Sequence, residues 1–490
     1  MERNAVDIEI SGPLAKARIY EAEKSKLIPC GQKPGFHLCA PVGWINDPNG
    51  FSCYKGEYHL FYQYHPYSAQ WGPMHWGHSK TKDFIRWDPL PAALAPDAEY
   101  DEMGCFSGSA VEYEGKHILL YTGVKKDESQ AQCIAVGDGF NYAKSPLNPV
   151  IGARLLPAGS DETNFRDPKI WIDGDSFYAV AGSKSADGSG QIALFSCKNL
   201  EDWNFVGILC KNGNRYGKMW ECPDFFHLDG QYVLLASPMD MLAEGLEFHG
   251  GHGSLCLIGQ ASLNECFFTI ESSQAVDYGL DFYAPQTTQA QDGRRILIAW
   301  MQSWGNCTAP PEFEWSGMMT IPRELSIKRG KLFQAPVREL ERYRQNEVIY
   351  KSISLDHSLL ELDEIAGRQI DMTVETESGE YDAFTIFLAQ NEKFHTSITY
   401  RRRENTLEFD RNFSGLRRDV ICNRRIYVRN QNGRLKLRIL LDKYCVEVFA
   451  NDGEQVMTSL IYTEPEADGI QFAAEGAVVF SVVKYNLGMM

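Results

Sequence analysis

Hydrophobic and polar positions alternate in short runs through the first two thirds of the chain, and turn glycines interrupt the alternation at regular intervals. Aromatic and β-branched residues flank Gly56, Gly115, Gly174, Gly230 and Gly293, so each reads as the turn of a β-hairpin. The pattern predicts strands over 51–54 and 58–62 around the first glycine, and over 118–121, 177–180, 232–235 and 296–300 after the others. Recurrence about every sixty residues marks repeated small sheets that cannot bury both faces alone and must stack about an axis. Five repeats predict a five-bladed β-propeller. Residues at equivalent points of different repeats should then converge near one end of the central channel.

The flanks lack this repeat. Residues 11–27 offer Ser11 as a helix cap, an early Pro13 and good helix formers, which predicts a short packing helix within an N-terminal segment of 1–30. The propeller is expected over 31–332 and a linker with a helical turn over 333–345. Alternating runs at 384–388, 397–400, 435–441 and 446–449 predict a β-sandwich over 346–490. The expected fold class is therefore all-β, a five-bladed β-propeller followed by a C-terminal β-sandwich. The arginine-rich stretch 401–429 is interleaved with acids and reads as a solvated sheet face.

Composition narrows the function. The chain has 490 residues, 44% of them hydrophobic and 23% charged, which is ordinary for a globular protein large enough for two cores. A formal charge of −17 opposes nucleic acid or an anionic membrane as partner and leaves a neutral small molecule favoured. The first ten residues do not read as a secretory signal, no apolar stretch is long enough to span a bilayer, and thirteen scattered cysteines suit reduced thiols. A cytoplasmic location is expected. A sandwich edge is one surface on which a homodimer could form.

Three short phrases carry the candidate chemistry. Asp47 lies in Trp-Ile-Asn-Asp-Pro-Asn-Gly (44–50), Asp167 in Asn-Phe-Arg-Asp-Pro (164–168), and Glu221 in Trp-Glu-Cys-Pro-Asp (220–224), each a few residues before its turn glycine. Carboxylates converging on a polar pocket are the equipment of glycoside hydrolysis: one attacks the sugar or activates water, and another protonates the departing oxygen. Asn46 and Asn49 offer amide donors to Asp47, which would keep it ionised for nucleophilic attack. Trp220, Cys222 and Pro223 around Glu221 would remove water and raise its pKa, as suits a general acid. Arg166 would hold Asp167 charged for binding sugar hydroxyls.

Gln63 and Trp71 fit a sugar pocket as an amide and a flat apolar wall, and 106–109 should line the channel, with Gly108 permitting close backbone approach. His65, His75 and His78 follow no zinc-site spacing, and His249-Gly-Gly-His252 reads as a flexible loop, so no metal is expected.

Together these phrases, with 71–87, 104–109, 281–286 and 300–304, closely resemble family 32 glycoside hydrolases, the β-fructofuranosidases, over nearly the whole chain. The resemblance implies a retaining double displacement on terminal β-fructofuranosides without a cofactor. Asp47, Asp167 and Glu221 would be nucleophile, transition-state stabiliser and acid/base. Asn46, Gln63, Trp71, Phe106, Ser107, Arg166, Tyr283 and Trp304 would contact the fructosyl unit or its aglycone. Ile45 stands where methionine is usual in the family, a volume-conserving change. Sucrose, its 6-phosphate and short fructo-oligosaccharides are the expected substrates, with Lys125-Lys126 as a candidate cationic site for a phosphate. Fructosyl transfer, exo-fructanase action and a non-catalytic carbohydrate-binding propeller remain the alternatives.

Overall fold

The computed structural model describes residues 9–306, 309–416, 420–430 and 433–488. The amino-terminal residues 1–8 and the arginines at 417 and 418, on which parts of the sequence reading rest, lie outside the described residues. Five antiparallel sheets form the blades of a propeller, each built from four strands in chain order. Their first strands are Gly43–Tyr54, Gly104–Tyr113, Phe165–Asp173, Trp220–Leu228 and Tyr283–Gln289, which touch one another in a closed ring. All five predicted turn glycines adopt positive φ, from 58° at Gly174 to 88° at Gly293, the conformation that a tight hairpin turn requires and that costs glycine least.

The repeat closes at a seam. After Arg295–Trp300 the chain leaves the fifth blade, and Trp315–Ser316 pairs in parallel with Gly43 and Trp44 of the first. It then returns for Arg323–Lys328 and Lys331–Pro336, the outer strands of the fifth blade. That last strand runs across position 332, so the blade ends at Pro336, and the 3-10 turn Arg338–Tyr343 makes the connection to the C-terminal domain.

Ser11 caps the helix Gly12–Lys24 by accepting from the Leu14 N–H. Leu14 and Ala17 are buried, and Arg18 and Glu21 both bond to the backbone of Ala92 in the outer strand of the first blade. The helix therefore serves packing. No helix among the described residues is long and apolar enough to cross a membrane.

The C-terminal domain is a sandwich whose layers share strands. Ile370–Gln390 and Gly469–Leu487 pair along their length. The first half of Ile370–Gln390 also pairs with Lys436–Asp442, and its second half with Thr396–Arg401. The two long strands thus bend from one layer into the other. Gly379 and Gly476 sit at the bend with positive φ, where a Cβ would lie 2.2 Å and 2.6 Å from opposing carbonyl oxygens.

Burial between the domains is extensive. Leu440, Cys445, Phe449 and Val456 of the sandwich join one core with Ile296, Ile298 and Met318 of the propeller. A buried polar chain crosses the same boundary. His37 bonds Asp442 and Glu447 at 2.9 Å each, and Glu447 also receives Arg323, whose Nη1 lies 2.9 Å from Asp277. The arginine-rich stretch divides accordingly. Arg402, Arg403 and Arg425 form surface ion pairs, but Arg411 is fully buried on Asp281, and Arg424 donates to the Gly279 carbonyl. The expectation of a uniformly solvated face fails because this sheet lies against the propeller.

Arg323→Met should destabilise the protein by about 3–5 kcal/mol, because Asp277 and Glu447 would keep buried charges without their partner. The urea midpoint followed by tryptophan fluorescence measures this, and a loss below about 1 kcal/mol would show that the pairs merely offset their own desolvation.

Candidate active site

Every channel-lining strand breaks its register near its beginning. Irregularities fall between Ile45 and Pro48, Phe106 and Gly108, Arg166 and Lys169, Glu221 and Asp224, and Tyr283 and Gln286. A bulge adds an unpaired residue and re-aims its side chain. Four of the five contain a proline, at Pro48, Pro168, Pro223 and Pro285, which has no N–H to leave unpaired. Asp167, Cys222 and Ala284, each before a proline, take φ of 63°, 47° and 52°, strained values that the surrounding strands enforce. The propeller thus turns one kind of local irregularity, five times over, toward one end of its channel.

The bulges open on a cavity of about 460 Å³. Asp47, Asp167 and Glu221 all line it, with Asn46, Gln63, Trp71, Phe106, Ser107, Arg166 and Trp304. Ser107 Oγ donates to Asp47 Oδ2 at 2.7 Å, and Asn46 Nδ2 to Oδ1 at 3.1 Å. Glu221 receives Arg166 Nε and Nη2 on Oε1 at 3.0 and 2.9 Å, and the Tyr283 hydroxyl on Oε2 at 2.7 Å. Asp167 Oδ2 accepts the Cys222 N–H at 3.0 Å. The Cys222 thiol lies between the acids, 3.4 Å from Asp47 Oδ2 and 3.6 Å from Asp167 Oδ2.

Several expectations change at this resolution of detail. Asn49 does not donate to Asp47: its Oδ1 accepts the Gly108 N–H, and its amide nitrogen is buried without a partner. Burial raises the Asp47 pKa against the hydrogen bonds of Ser107 and Asn46, with the charge of Glu221 adding to the rise, so the site does not hold this acid unusually ionised. Arg166 is committed to Glu221 and only approaches Asp167 at 4.0 Å. Asp167 is accordingly pushed up to about 7 by burial, Arg166 opposing and Glu221 and Asp47 assisting. Trp220 turns away, its indole N–H on the Tyr216 carbonyl, so Arg166 and Tyr283 rather than apolar neighbours enclose the Glu221 carboxylate.

Tyr283, expected at the sugar, is fully buried outside the cavity lining, its hydroxyl behind Glu221 and against the Ser237 carbonyl. Gly108 permits close approach, as expected, but to its own blade: a Cβ there would sit 2.1 Å from the Leu120 carbonyl oxygen. Lys125 and Lys126 are exposed and do not line the cavity.

Gln130, Thr163, Asn164, Met239 and His252 line the pocket without having been singled out for it. Gln130 and Asn164 each place a side-chain oxygen 3.3 Å from Arg166 Nη1. A signal existed for Asn164, beside the Arg-Asp-Pro phrase, and for His252, which packs edge-on against Tyr283 at 5.9 Å. None distinguished Gln130 or Met239 from ordinary strand and loop residues.

Comparison with known proteins agrees with this arrangement. Residues 37–336 match the glycosyl hydrolases family 32 N-terminal domain, and residues 339–486 match the family 32 C-terminal domain. The chain belongs to glycosyl hydrolase family 32. It is a glycoside hydrolase of the β-fructofuranosidase class. A sucrose-6-phosphate hydrolase of Zymomonas mobilis is 37% identical over 92% of this chain and 91% of its own. The structure of a Bombyx mori β-fructofuranosidase mutant in complex with sucrose superposes with a TM-score of 0.85 at 30% identity, covering 98% of this chain and 99% of the other. A Lactobacillus gasseri sucrose-6-phosphate hydrolase gives 0.84 at 28%, covering 98% and 97%. The non-catalytic alternative is set aside.

The raised pKa of Asp167 has a consequence for stability. With a folded value of about 7 and an unfolded one near 3.9, its protonated form is favoured by folding, so stability is complete below the unfolded value and lost as pH rises through the folded one. Asp167→Asn should therefore melt with wild type near pH 4 and above it at pH 8. A wild-type melting temperature at pH 8 equal to or higher than the variant's would contradict this balance of burial and repulsion.

Proposed function

We propose that the enzyme hydrolyses small terminal β-fructofuranosides, sucrose and its 6-phosphate foremost, with retention of anomeric configuration. The observation that carries the reading is the contrast between two acids at one cavity. Asp47 is presented by side-chain donors on the first and second blades. Glu221 is held across the site by Arg166 and Tyr283 of the third and fifth.

In this reading Asp47 attacks the anomeric carbon as the glycosidic bond breaks, and Glu221 gives its proton to the departing oxygen. A fructosyl ester of Asp47 results. Glu221 then takes a proton from water, whose oxygen displaces Asp47, so the acid and the nucleophile are both regenerated. Asp167 binds the fructosyl hydroxyls, and Asn46, Gln63, Phe106 and Ser107 complete the inner pocket. Trp71, half exposed at 50%, and Trp304, which stacks on Trp44 at 6.2 Å, form the wall for the leaving sugar. The described cysteines are all free, which supports work in a reducing compartment.

Among the described residues the one lysine or arginine lining the cavity is Arg166, and Glu221 occupies it. A phosphate on the substrate should therefore gain little. The ratio of kcat/KM for sucrose 6-phosphate over sucrose is expected below about tenfold, the equivalent of about 1.4 kcal/mol. A ratio far above that would require a phosphate contact that the lining lacks.

Asp47→Ala and Glu221→Ala should each remove most turnover, by about 10²-fold or more, without unfolding the protein. They should differ on a fructoside with a good leaving group, where Glu221→Ala retains fructosyl-enzyme formation and Asp47→Ala does not. NMR of the first anomer released decides the stereochemistry, and initial α-fructofuranose would rule out the double displacement. Fructosyl transfer would show as oligosaccharide at high sucrose.

A further inference from the structure

The strands that carry the acids at their beginnings build a second pocket at their ends. Between the two lies a laced layer. Asn49 meets Gly108, Gln286 bonds both Gly108 and Phe51, Ser109 bonds Pro168 and Ile170, and Lys169 spans to Asp224 and Thr287. Beyond this layer, at the opposite mouth of the channel, a cavity of about 520 Å³ is lined by residues of all five channel strands. Nothing in the hydrolytic reading uses it.

Its chemistry is uneven in a way that points to a ligand. Arg295 opens the second strand of the fifth blade and lines this cavity. Its Nε is buried without a hydrogen-bond partner, and no described carboxylate lies within ion-pair distance of its guanidinium. The Phe226 ring lies 4.7 Å from its guanidinium carbon. Burial lowers its pKa, the nearby charge of Asp224 opposing. Thr287, 1% exposed, also lines the cavity with an unpartnered hydroxyl.

Asp224 does not neutralise Arg295. Its Oδ2 is taken by Lys169 at 3.0 Å and by the Thr287 N–H, and a water bridging its free Oδ1 to Arg295 would satisfy one of five donors. The deep end therefore holds two cations against one buried acid. A guanidinium fork with open donors beside a hydroxyl matches an oxyanion, accepted two oxygens at a time. The ring wall of Trp171, Phe225 and Tyr232, with Phe225 stacked on Tyr232 at 5.2 Å, offers apolar area to the body that bears it. Glu112 and Asp173, exposed at the rim, disfavour polyanions.

We infer that the far mouth of the propeller channel is a second, non-catalytic binding site for a small organic oxyanion, a carboxylate or phosphate ester, gripped by Arg295. The laced layer separates it from the hydrolytic pocket, so both can be filled at once.

Calorimetric titration of the intact Asp47→Ala protein with citrate, inorganic phosphate, glucose 6-phosphate and glucose tests this. At least one of the three anions should bind and glucose should not bind through Arg295. Citrate binding alone identifies a carboxylate site, and binding of the phosphates identifies a phosphate site. Adding Arg295→Gln should raise the dissociation constant about tenfold or more, with Arg295→Lys intermediate, since one charge-assisted paired contact is lost. Gln289→Glu, at an exposed wall position, should weaken the anion about threefold while leaving the fold intact, and serves if Arg295→Gln does not fold. Absence of anion binding, or dissociation constants unchanged in Arg295→Gln or in Gln289→Glu, would overturn the assignment.

Discussion

The structure depends on closure of five sheets around a shared axis, with their first strands laced to one another by buried side chains. No blade could hold its bulge alone. Proline-bearing strands with residues at positive φ are locally unfavourable, and each persists because the neighbouring blade supplies what the bulge displaces. Ser109 of the second blade meets the Pro168 carbonyl and the Ile170 N–H of the third, and Lys169 of the third reaches the fourth and fifth. Three carboxylates and a thiol can share one pocket with a single arginine only because this frame is rigid enough to resist their repulsion.

The repeat was legible because it rests on local chemistry. A hairpin turn needs a residue at positive φ, so Gly56, Gly115, Gly174, Gly230 and Gly293 announce the blades one by one. The convergence of the three acids on one cavity was legible because their phrases are unusual and recur in step. What failed was partner assignment. Arg166 precedes Asp167 in sequence, yet adjacent residues on a strand point apart, and the bulge delivers Arg166 to Glu221 of the next blade. Asn49, two residues from Asp47, belongs to the layer below it for the same reason. The prolines at 48, 168, 223 and 285 were the readable sign that these phrases are bulged strands rather than loops.

The sandwich was legible as strands without a repeat, but its relation to the propeller was not. Arg411 and Arg424 look like their surface neighbours in sequence, and only the long-range approach of Asp281 and Gly279 distinguishes them. The C-terminal domain contacts the propeller where its two ends meet. Asp442 receives the backbone N–H groups of Gly35 and Phe36, while Glu447 holds His37 on one side and the Ile321 N–H and Arg323 on the other.

That clasp has a kinetic meaning. The seam pairs Gly43 and Trp44 with Trp315 and Ser316, near opposite ends of the propeller sequence, and such a non-local contact bears its full loop-closure entropy before any burial rewards it. Backbone bonds from the Ala40 N–H to the Gly317 carbonyl and from the Met319 N–H to the Leu38 carbonyl extend that closure, and further groups that reinforce it come from a domain still further along the chain. During synthesis the blades can form in order, and residues near 440–450, which emerge after them, complete the clasp across the seam. Asp47 lies on the strand at that seam. The pocket that Asp47 lines is therefore completed by contacts made late in the chain rather than by the blade that carries the acid.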